Sequence, residues 1–219
     1  MTRLRTEVRG GKAVLLTQNL VPGIRTYGED LLIKDGSEFR VWDPFRSKLA
    51  AGILKGLPQD VLREGDKVLY LGTSTGTTPS HVSDIVGPSG VVIGVELAPR
   101  VAREFVENVA RKRKNVVPFL ADARDPSRYS LMRVDAVYCD IAQQDQTEIA
   151  VANCRQLLKD RGTLLLVVKA RSIDVVKDPK VVFREETGKL ESAGFDIMSV
   201  IELSPFDKDH ALILAKSRR

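Results

Sequence analysis

A chain of 219 residues can form one domain of ordinary size with a small extension, and its core needs no disulfide or metal. With 43% hydrophobic and 29% charged residues, no run of about 18 apolar residues and no apolar leader, we expect a soluble cytoplasmic protein. A net charge of +5 permits an anionic partner without requiring one. An aromatic content of 5% argues against a surface that stacks on the bases of single-stranded nucleic acid. Cys139 and Cys154 lack metal-ligand spacing, so we expect two buried thiols and no metal site.

The first part of the chain predicts a small antiparallel sheet. Apolar and polar residues alternate in EDLLIKDGSEFRVW, and Asp35-Gly36 is a hairpin signal. Asp43 is the predicted N-cap of a helix, and Pro44 is its first residue. The apolar side chains of this helix recur every four residues, at Phe45, Leu49, Ile53 and Leu57.

From Val61 onward, predicted strands and helices alternate, as in a parallel sheet covered on both faces. In the stretch from Lys67 to Leu97, a strand, a Gly-containing turn, a helix and a second strand end at Glu96. Glycines permit close approach to a nucleotide-like ligand, and an acid at this position can bind a ribose, although glycines also serve packing alone. We therefore expect a main domain at 57–219 and an N-terminal sheet with a connecting helix at 1–56.

Three expectations concern the second half of the chain. The basic run Arg111–Lys114 ends a helix, and we interpret it as a solvated helix end. A helix that begins at Asp145 is predicted to end at Gly162, before a strand that reaches Lys169. The last two apolar runs are too close for a crossover helix and predict an antiparallel pair.

Charged residues follow the ends of the predicted strands. Glu96, Asp122, Asp140 and Lys169 occupy such positions, together with the turn 72–78. Because the carboxyl ends of parallel strands form the ligand crevice, we expect these groups to converge there.

Asp140 and Lys169 are expected to face each other from neighbouring strands. The pair is either a structural ion pair or part of a catalytic site in which a neutral lysine accepts a proton. A second lysine such as Lys48 would favour that neutral amine. By spacing alone, however, Lys48 is an exposed helix residue, and nothing brings it near the pair.

Several long blocks resemble the fibrillarin family, in particular its short archaeal-type rRNA and tRNA 2'-O-methyltransferases. The resemblance covers nearly the whole chain and includes VWDPFRSKLAA, VLYLGTSTGTTPSHVSDIVGPSG, CDIAQQDQT and PFDKDHALILA. Thr73-Ser74-Thr75 departs from the small residues that the family often has there. The Gly/Arg-rich arm of eukaryotic members is absent, which favours a prokaryotic setting.

The resemblance implies a class I methyltransferase fold with S-adenosylmethionine as cofactor: a Rossmann-like α/β sheet of seven strands, the last antiparallel, plus the small N-terminal sheet. The implied cofactor contacts are Gly72, Thr77 and Thr78 for the methionine moiety, Glu96 and Leu97 for the ribose, Asp122 and Ala123 for the adenine, and Asp140, Ile141, Ala142 and Gln143 near the methyl donor.

The resemblance also implies a catalytic set of Lys48, Asp140 and Lys169, with His210 as a weaker fourth candidate. Lys169 would act as general base and Asp140 would orient it. The implied activity is ribose 2'-O-methylation of rRNA and tRNA as the catalytic subunit of a C/D box complex. Its partners would be the guide RNA, the target RNA, a Nop-domain scaffold protein and a kink-turn-binding ribosomal-type protein.

Three alternative functions stay open at this point. The chain could be a stand-alone RNA ribose methyltransferase, or a nicotinamide-dependent enzyme with the same strand-turn-helix opening. It could also be a non-catalytic RNA-assembly subunit with the same fold. Such a subunit would ordinarily lose Asp140 or Lys169, and both are present.

Overall fold

Two β-sheets organise the structure, a computed structural model that describes residues 3–219. The N-terminal sheet has the order β1-β2-β4-β3 and consists of β1 Leu4–Arg9, β2 Lys12–Gln18, β3 Leu31–Lys34 and β4 Ser37–Trp42. Asp35 and Gly36 form the predicted hairpin turn, both with positive φ. No sequence pattern predicted β1, because this edge strand buries few apolar side chains and its Val8 is exposed. Residues 1 and 2 of the predicted 1–56 unit lie outside the described residues.

The predicted start of the first helix was wrong. Helix α1 spans Lys48–Leu54, and its N-cap is Ser47, whose hydroxyl accepts a hydrogen bond from Ala50 N. The Asp43 carboxylate instead accepts one from Phe45 N at 2.8 Å, so it closes a turn ahead of the helix. Phe45 is therefore exposed, whereas the other three residues of the predicted stripe are buried.

The main sheet has seven strands in the order β10-β11-β9-β8-β5-β6-β7. Strands β5 to β9 are parallel, and the last strand, β11, pairs antiparallel with both β9 and β10, as predicted. The strands are β5 Lys67–Leu71, β6 Val91–Glu96, β7 Val116–Leu120, β8 Val134–Cys139, β9 Leu158–Lys169, β10 Phe195–Glu202 and β11 His210–Ser217.

Helices cover both faces of this sheet, and an apolar cluster lies on each side of it. None of the helices within residues 3–219 is long and apolar enough to cross a membrane. Cys139 and Cys154 are buried free thiols, as predicted. The further helices are α2 Thr77–Val86, α3 Pro99–Phe105 with a π-helical turn Val106–Ala110, α4 Gln146–Leu157, α5 Ala170–Ile173 and α6 Pro179–Ser192, with short 3₁₀ turns at Gln59–Val61 and Pro126–Tyr129.

Gly162 does not end a helix. Helix α4 ends at Leu157, and β9 begins directly at Leu158. The pairing register shifts between Val134 and Ala136, so the segment up to Gly162 bulges out of the ladder. A Cβ on Gly162 would lie 2.5 Å from Leu158 Cδ1, so the glycine permits the bulge to fold back on the strand.

A buried ionic cluster joins the N-terminal sheet to the main sheet. The Asp84 carboxylate on α2 accepts hydrogen bonds from the guanidinium groups of Arg40 and Arg113, at 2.7 and 2.5 Å. Thr17 in β2 donates a further bond to it at 2.9 Å. Arg40 also pairs with Glu29 at 2.5 Å, and all four charged side chains are almost inaccessible to water. Burial alone would raise the pKa of Glu29, but Arg40 and backbone N–H groups hold it below its usual value.

The basic run after the π-helical turn is therefore only partly solvated, contrary to the sequence interpretation. Its third residue, Arg113, is buried against Asp84, whereas Arg111, Lys112 and Lys114 are exposed. A buried carboxylate requires cationic or hydrogen-bonding partners, and periodicity gave no indication that Asp84 was buried.

His81 completes this cluster in its neutral form. Burial, followed by the nearby charges of Arg40 and Arg113, lowers its pKa well below the usual value. Its Nδ1 lies 2.7 Å from the Thr17 hydroxyl and its Nε2 lies 2.8 Å from the Tyr27 hydroxyl. Because Thr17 donates its own hydrogen to Asp84, Nδ1 donates to Thr17 and Nε2 accepts from Tyr27.

We predict that Asp84→Asn destabilises the protein strongly. The change leaves Arg40 and Arg113 buried without their shared carboxylate, so the free energy of unfolding should fall by about 3 to 5 kcal/mol. Glu107→Gln is the control, because it removes an exposed ion pair with Arg111 and should cost less than about 1 kcal/mol. Urea denaturation measures both, and equal losses would contradict the assigned role of Asp84.

We also predict that stability falls toward acid because of His81. An unfolded imidazole titrates near about pH 6.5, whereas the folded His81 stays neutral, so below that pH the unfolded chain binds an additional proton. The free energy of unfolding should then decrease by up to about 1.4 kcal/mol per pH unit between about pH 6.5 and 5. Urea denaturation measured across this pH range should show the slope in the wild type and lose it in His81→Gln. An unchanged slope in His81→Gln would refute the assignment.

Candidate active site

The charged residues at the strand ends converge on one cleft of about 360 Å³ at the carboxyl edge of the main sheet. Glu96 ends β6, Asp122 follows β7, Asp140 follows β8 and Lys169 ends β9. Gly72, in the turn after β5, completes the arrangement that the strand pattern predicted. Four segments far apart in the chain therefore contribute polar groups to one space.

The Glu96 carboxylate joins the glycine turn to its own strand end. One oxygen accepts a hydrogen bond from Ser74 N at 2.9 Å, and the other accepts from Leu97 N and Ala98 N at 3.0 and 3.1 Å. A carboxylate can accept about four hydrogen bonds, so Glu96 can accept a further hydrogen bond from a donor in the cleft. A ribose hydroxyl is a donor of this kind.

The two glycines of the turn are required by contacts within the protein. Gly72 has a φ of +82°, and a Cβ there would lie 2.8 Å from the carbonyl oxygen of Asp140. A Cβ on Gly76 would clash with Val109 Cγ2, so this glycine permits α2 to pack on the π-helical turn. Gly72 thus sets how closely the turn approaches Asp140.

Lys48, Asp140 and Lys169 form one ion-paired set. Lys169 Nζ lies 2.8 Å from Asp140 Oδ1, and Lys48 Nζ lies 3.3 Å from Asp140 Oδ2. Lys169 Nζ also donates to the Asp140 carbonyl at 2.9 Å. The side chains are 13% exposed for Asp140, 16% for Lys169 and 23% for Lys48, so Lys48 is not the solvated helix residue that its spacing indicates.

His210 lies outside the wall of the cleft. Its Nδ1 is 2.8 Å from Asp207 Oδ1 and 2.6 Å from the Lys208 carbonyl oxygen. Because a carboxylate and a carbonyl only accept hydrogen bonds, Nδ1 carries the hydrogen. In a neutral imidazole, Nε2 is then the nitrogen that can accept a proton.

The other residues expected to hold a cofactor divide into two groups. Leu97, Ala123 and the segment 141–143 line the cleft with Asp122. Thr77 and Thr78 begin α2 and do not contribute to its wall. The Thr78 hydroxyl donates to Ser47 Oγ at 2.9 Å, and so holds the start of α1 against α2. The cofactor roles of all these residues stay predictions.

Arg124 lines the cleft, although no sequence pattern indicated this position. Its guanidinium donates to Asp145 at 2.6 Å and to Gln143 at 3.2 Å, and it lies 3.7 Å from Asp122. The hydrogen bond from Arg124 lowers the pKa of Asp145. A single arginine in a turn belongs to no periodic pattern. The only sequence signal for Arg124 is its position between two acids in the DARDP block.

The cleft has the chemistry of a nucleoside site. Apolar surface from Val101 and Ile149 suits the face of a purine, while Glu96 and Asp122 offer carboxylate oxygens at two strand ends. The Lys48, Asp140 and Lys169 set reaches one side of it, so a reactive group of the ligand would be held close to an amine.

A family model described as Fibrillarin matches residues 5–219. The chain is 52% identical over 212 residues to a fibrillarin-like rRNA/tRNA 2'-O-methyltransferase from Saccharolobus solfataricus, covering 96% of this chain and 91% of that protein.

Two solved structures have similar folds. One is Aeropyrum pernix fibrillarin in complex with natively bound S-adenosyl-L-methionine, with a TM-score of 0.86, 44% identity and coverage of 98% of this chain and 100% of that chain. The other is a fibrillarin/Nop5p complex, with a TM-score of 0.85, 39% identity and coverage of 96% of each chain.

We predict that Gly72→Ala displaces Asp140. The new Cβ would meet the Asp140 carbonyl oxygen in a backbone conformation that favours glycine, so unfolding free energy should fall by about 1 to 3 kcal/mol. A crystal structure should show a longer separation between Asp140 and Lys48. Gly188→Ala is the control, because its Cβ would meet no atom within 4 Å. An unmoved Asp140 in Gly72→Ala would contradict the prediction.

Proposed function

The chain belongs to the fibrillarin family, and from this premise we propose that it is an S-adenosylmethionine-dependent ribose 2'-O-methyltransferase. Its substrates are rRNA and tRNA, and it acts as the catalytic subunit of a C/D box guide RNA-protein complex. The observation that carries the proposal is the ion-paired Lys48, Asp140 and Lys169 set beside a cleft that suits a nucleoside.

The cleft residues would hold S-adenosylmethionine through its nucleoside. Glu96 has free acceptor capacity for a ribose hydroxyl, and Asp122 and Ala123, which line the cleft, would contact the adenine. Asp140 and the segment 141–143 line the part of the cleft next to Lys169. When bound, the cofactor would supply a methyl group to the 2'-oxygen of the target ribose, and its positively charged sulfur would be left as a neutral thioether.

The catalytic set then has to orient the target ribose and accept one proton. We assign the role of general base to Lys169, whose amine takes the proton from the 2'-hydroxyl. Asp140 fixes the position of this amine through the 2.8 Å contact. Lys48 places its amino group beside the Lys169–Asp140 pair and can bind a phosphate of the target RNA strand.

Target selection is assigned to partners. The chain has few aromatic residues for stacking, so base pairing with a guide RNA is the simplest source of sequence specificity. A Nop-domain scaffold protein agrees with the similarity to the fibrillarin/Nop5p complex. A kink-turn-binding ribosomal-type protein would complete the assembly. Because the proposed substrates are made in the cytoplasm of a prokaryotic cell, we propose that the protein works there.

We predict that methylation requires the assembly and Lys169. A guide-matched RNA should be methylated by the complete complex and hardly at all by the isolated chain. In the complex, Lys169→Ala should lower the single-turnover rate by about 10²- to 10⁴-fold, because the general base is lost. Calorimetry should show S-adenosylmethionine binding in the variant within about twofold of wild type, since the nucleoside contacts remain.

Lys159→Ala is the matched control, because Lys159 lies on the same strand and pairs with Asp135 at the other end of β9. An unchanged rate in Lys169→Ala with cofactor bound would refute the role of Lys169. Efficient turnover of unguided RNA by the isolated chain would identify a stand-alone enzyme. Cofactor binding without methylation in any assembly would identify a non-catalytic subunit, and binding of NAD instead would refute the reaction class.

A further inference from the structure

The loop between β10 and β11, residues 203–209, connects two parts of the proposed catalytic set. On one side, Phe206 packs edge-to-face on Phe45, with ring centroids 5.2 Å apart, just ahead of the helix that carries Lys48. On the other side, the Asp209 carbonyl accepts a hydrogen bond at 3.0 Å from Ala170 N, the residue after Lys169. The loop is therefore fixed to both segments that supply the lysines.

Asp207 in this loop contacts two of the candidate residues at once. Its Oδ1 lies 2.8 Å from His210 Nδ1, and its Oδ2 lies 3.7 Å from Lys48 Nζ. Because His210 Nδ1 carries a hydrogen, it can donate to the carboxylate. Asp207 is half-buried, so solvent screens these contacts only partly.

Lys48 is held between two carboxylates. Its Nζ lies 3.3 Å from Asp140 and 3.7 Å from Asp207, and within residues 3–219 these are its ion-pair partners. Without Asp207, Lys48 would have only the carboxylate that it shares with Lys169. With Asp207, two lysine amino groups face two carboxylates, and the flexible Lys48 side chain is restrained from two directions.

We propose that Asp207 is a positioning residue, which holds Lys48 against Asp140 and orients the His210 imidazole. It thereby links Lys169, Asp140, Lys48 and His210 into one continuous chain of polar contacts. The inference rests on the proposed function and adds a residue to it. Asp207 acts through its neighbours, so its loss should affect the transfer step and leave cofactor binding unchanged.

Asp209 provides a matched comparison within the same loop. It is also an aspartate, but its carboxylate is exposed and pairs with Arg171 at 3.2 Å, away from Lys48. Asn at either position keeps the side-chain shape and removes the charge. A general effect of negative charge in the loop would change both variants equally, whereas only Asp207, of these two aspartates, contacts Lys48.

The first test measures single-turnover methyl transfer by the complete complex on a guide-matched RNA. Asp207→Asn should lower the rate by about 10- to 100-fold with cofactor affinity within about twofold of wild type. Asp207→Glu should recover most of the rate, because it restores a carboxylate, and Asp209→Asn should stay within about twofold of wild type. A rate for Asp207→Asn equal to wild type, or equal to that of Asp209→Asn, would overturn the proposal.

The second test asks whether Asp207 acts through Lys48. In a Lys48→Ala background, Asp207→Asn should have little further effect on the rate, because the side chain that it holds is absent. If the rate losses caused by Lys48→Ala and Asp207→Asn multiplied fully in the double variant, the proposal would be overturned. This non-additivity separates positioning from a loss of stability, since a folding defect would persist in either background.

The third test does not depend on activity. Crystal structures of Asp207→Asn and Asp209→Asn with S-adenosylmethionine should show Lys48 Nζ displaced from Asp140 in the first variant only. An unmoved Lys48 in Asp207→Asn would overturn the proposal. If the wild-type complex failed to methylate RNA, the proposed function would fail, and these structures would still decide whether Asp207 positions Lys48.

Discussion

The carboxylate of Asp84 is the constraint on which much of the structure depends. It is buried on α2 and is compensated by Arg40 from the N-terminal sheet and by Arg113 from the segment after the π-helical turn. A buried charge without such partners would be strongly unfavourable, so the sheet is held where Arg40 can reach α2. Because β4 leads directly into the segment that begins α1, docking of this sheet also determines where Lys48 lies. The N-terminal sheet therefore helps to position Lys48 in the site.

The site itself combines contacts that span most of the chain. Gly72 permits the turn after β5 to touch the Asp140 carbonyl, and the parallel pairing of β8 with β9 aligns the strand ends that precede Asp140 and finish at Lys169. Helix α1 then adds Lys48 from the other side. The carboxylate of Asp140 contacts the amino groups of both Lys48 and Lys169, and this arrangement holds two lysines beside a nucleoside cleft.

Much of this could be predicted from the sequence, and the failures have physical causes. The strand ends Glu96 and Lys169 were predicted because apolar runs and the polar residues after them are local features. The start of α1 was wrong because Asp43 can close a turn as well as cap a helix, and local sequence does not distinguish the two. Arg113 was assigned to solvent because its partner lies 29 residues away in the chain, beyond any periodic pattern.

The sequence by itself determined the alternation of strands and helices, the antiparallel last strand and the convergence of charged residues at one sheet edge, because hydrophobic periodicity and turn chemistry act over short distances. The resemblance of its motifs to fibrillarins pointed to Lys48 as a partner of Asp140. Only the tertiary structure decided which acid of the PFDKDH block contacts Lys48, since Asp207 and Asp209 are alike in sequence and differ in the direction that the loop gives them. Only packing could also reveal that Gly72 and Gly76 are required by contacts with other parts of the chain.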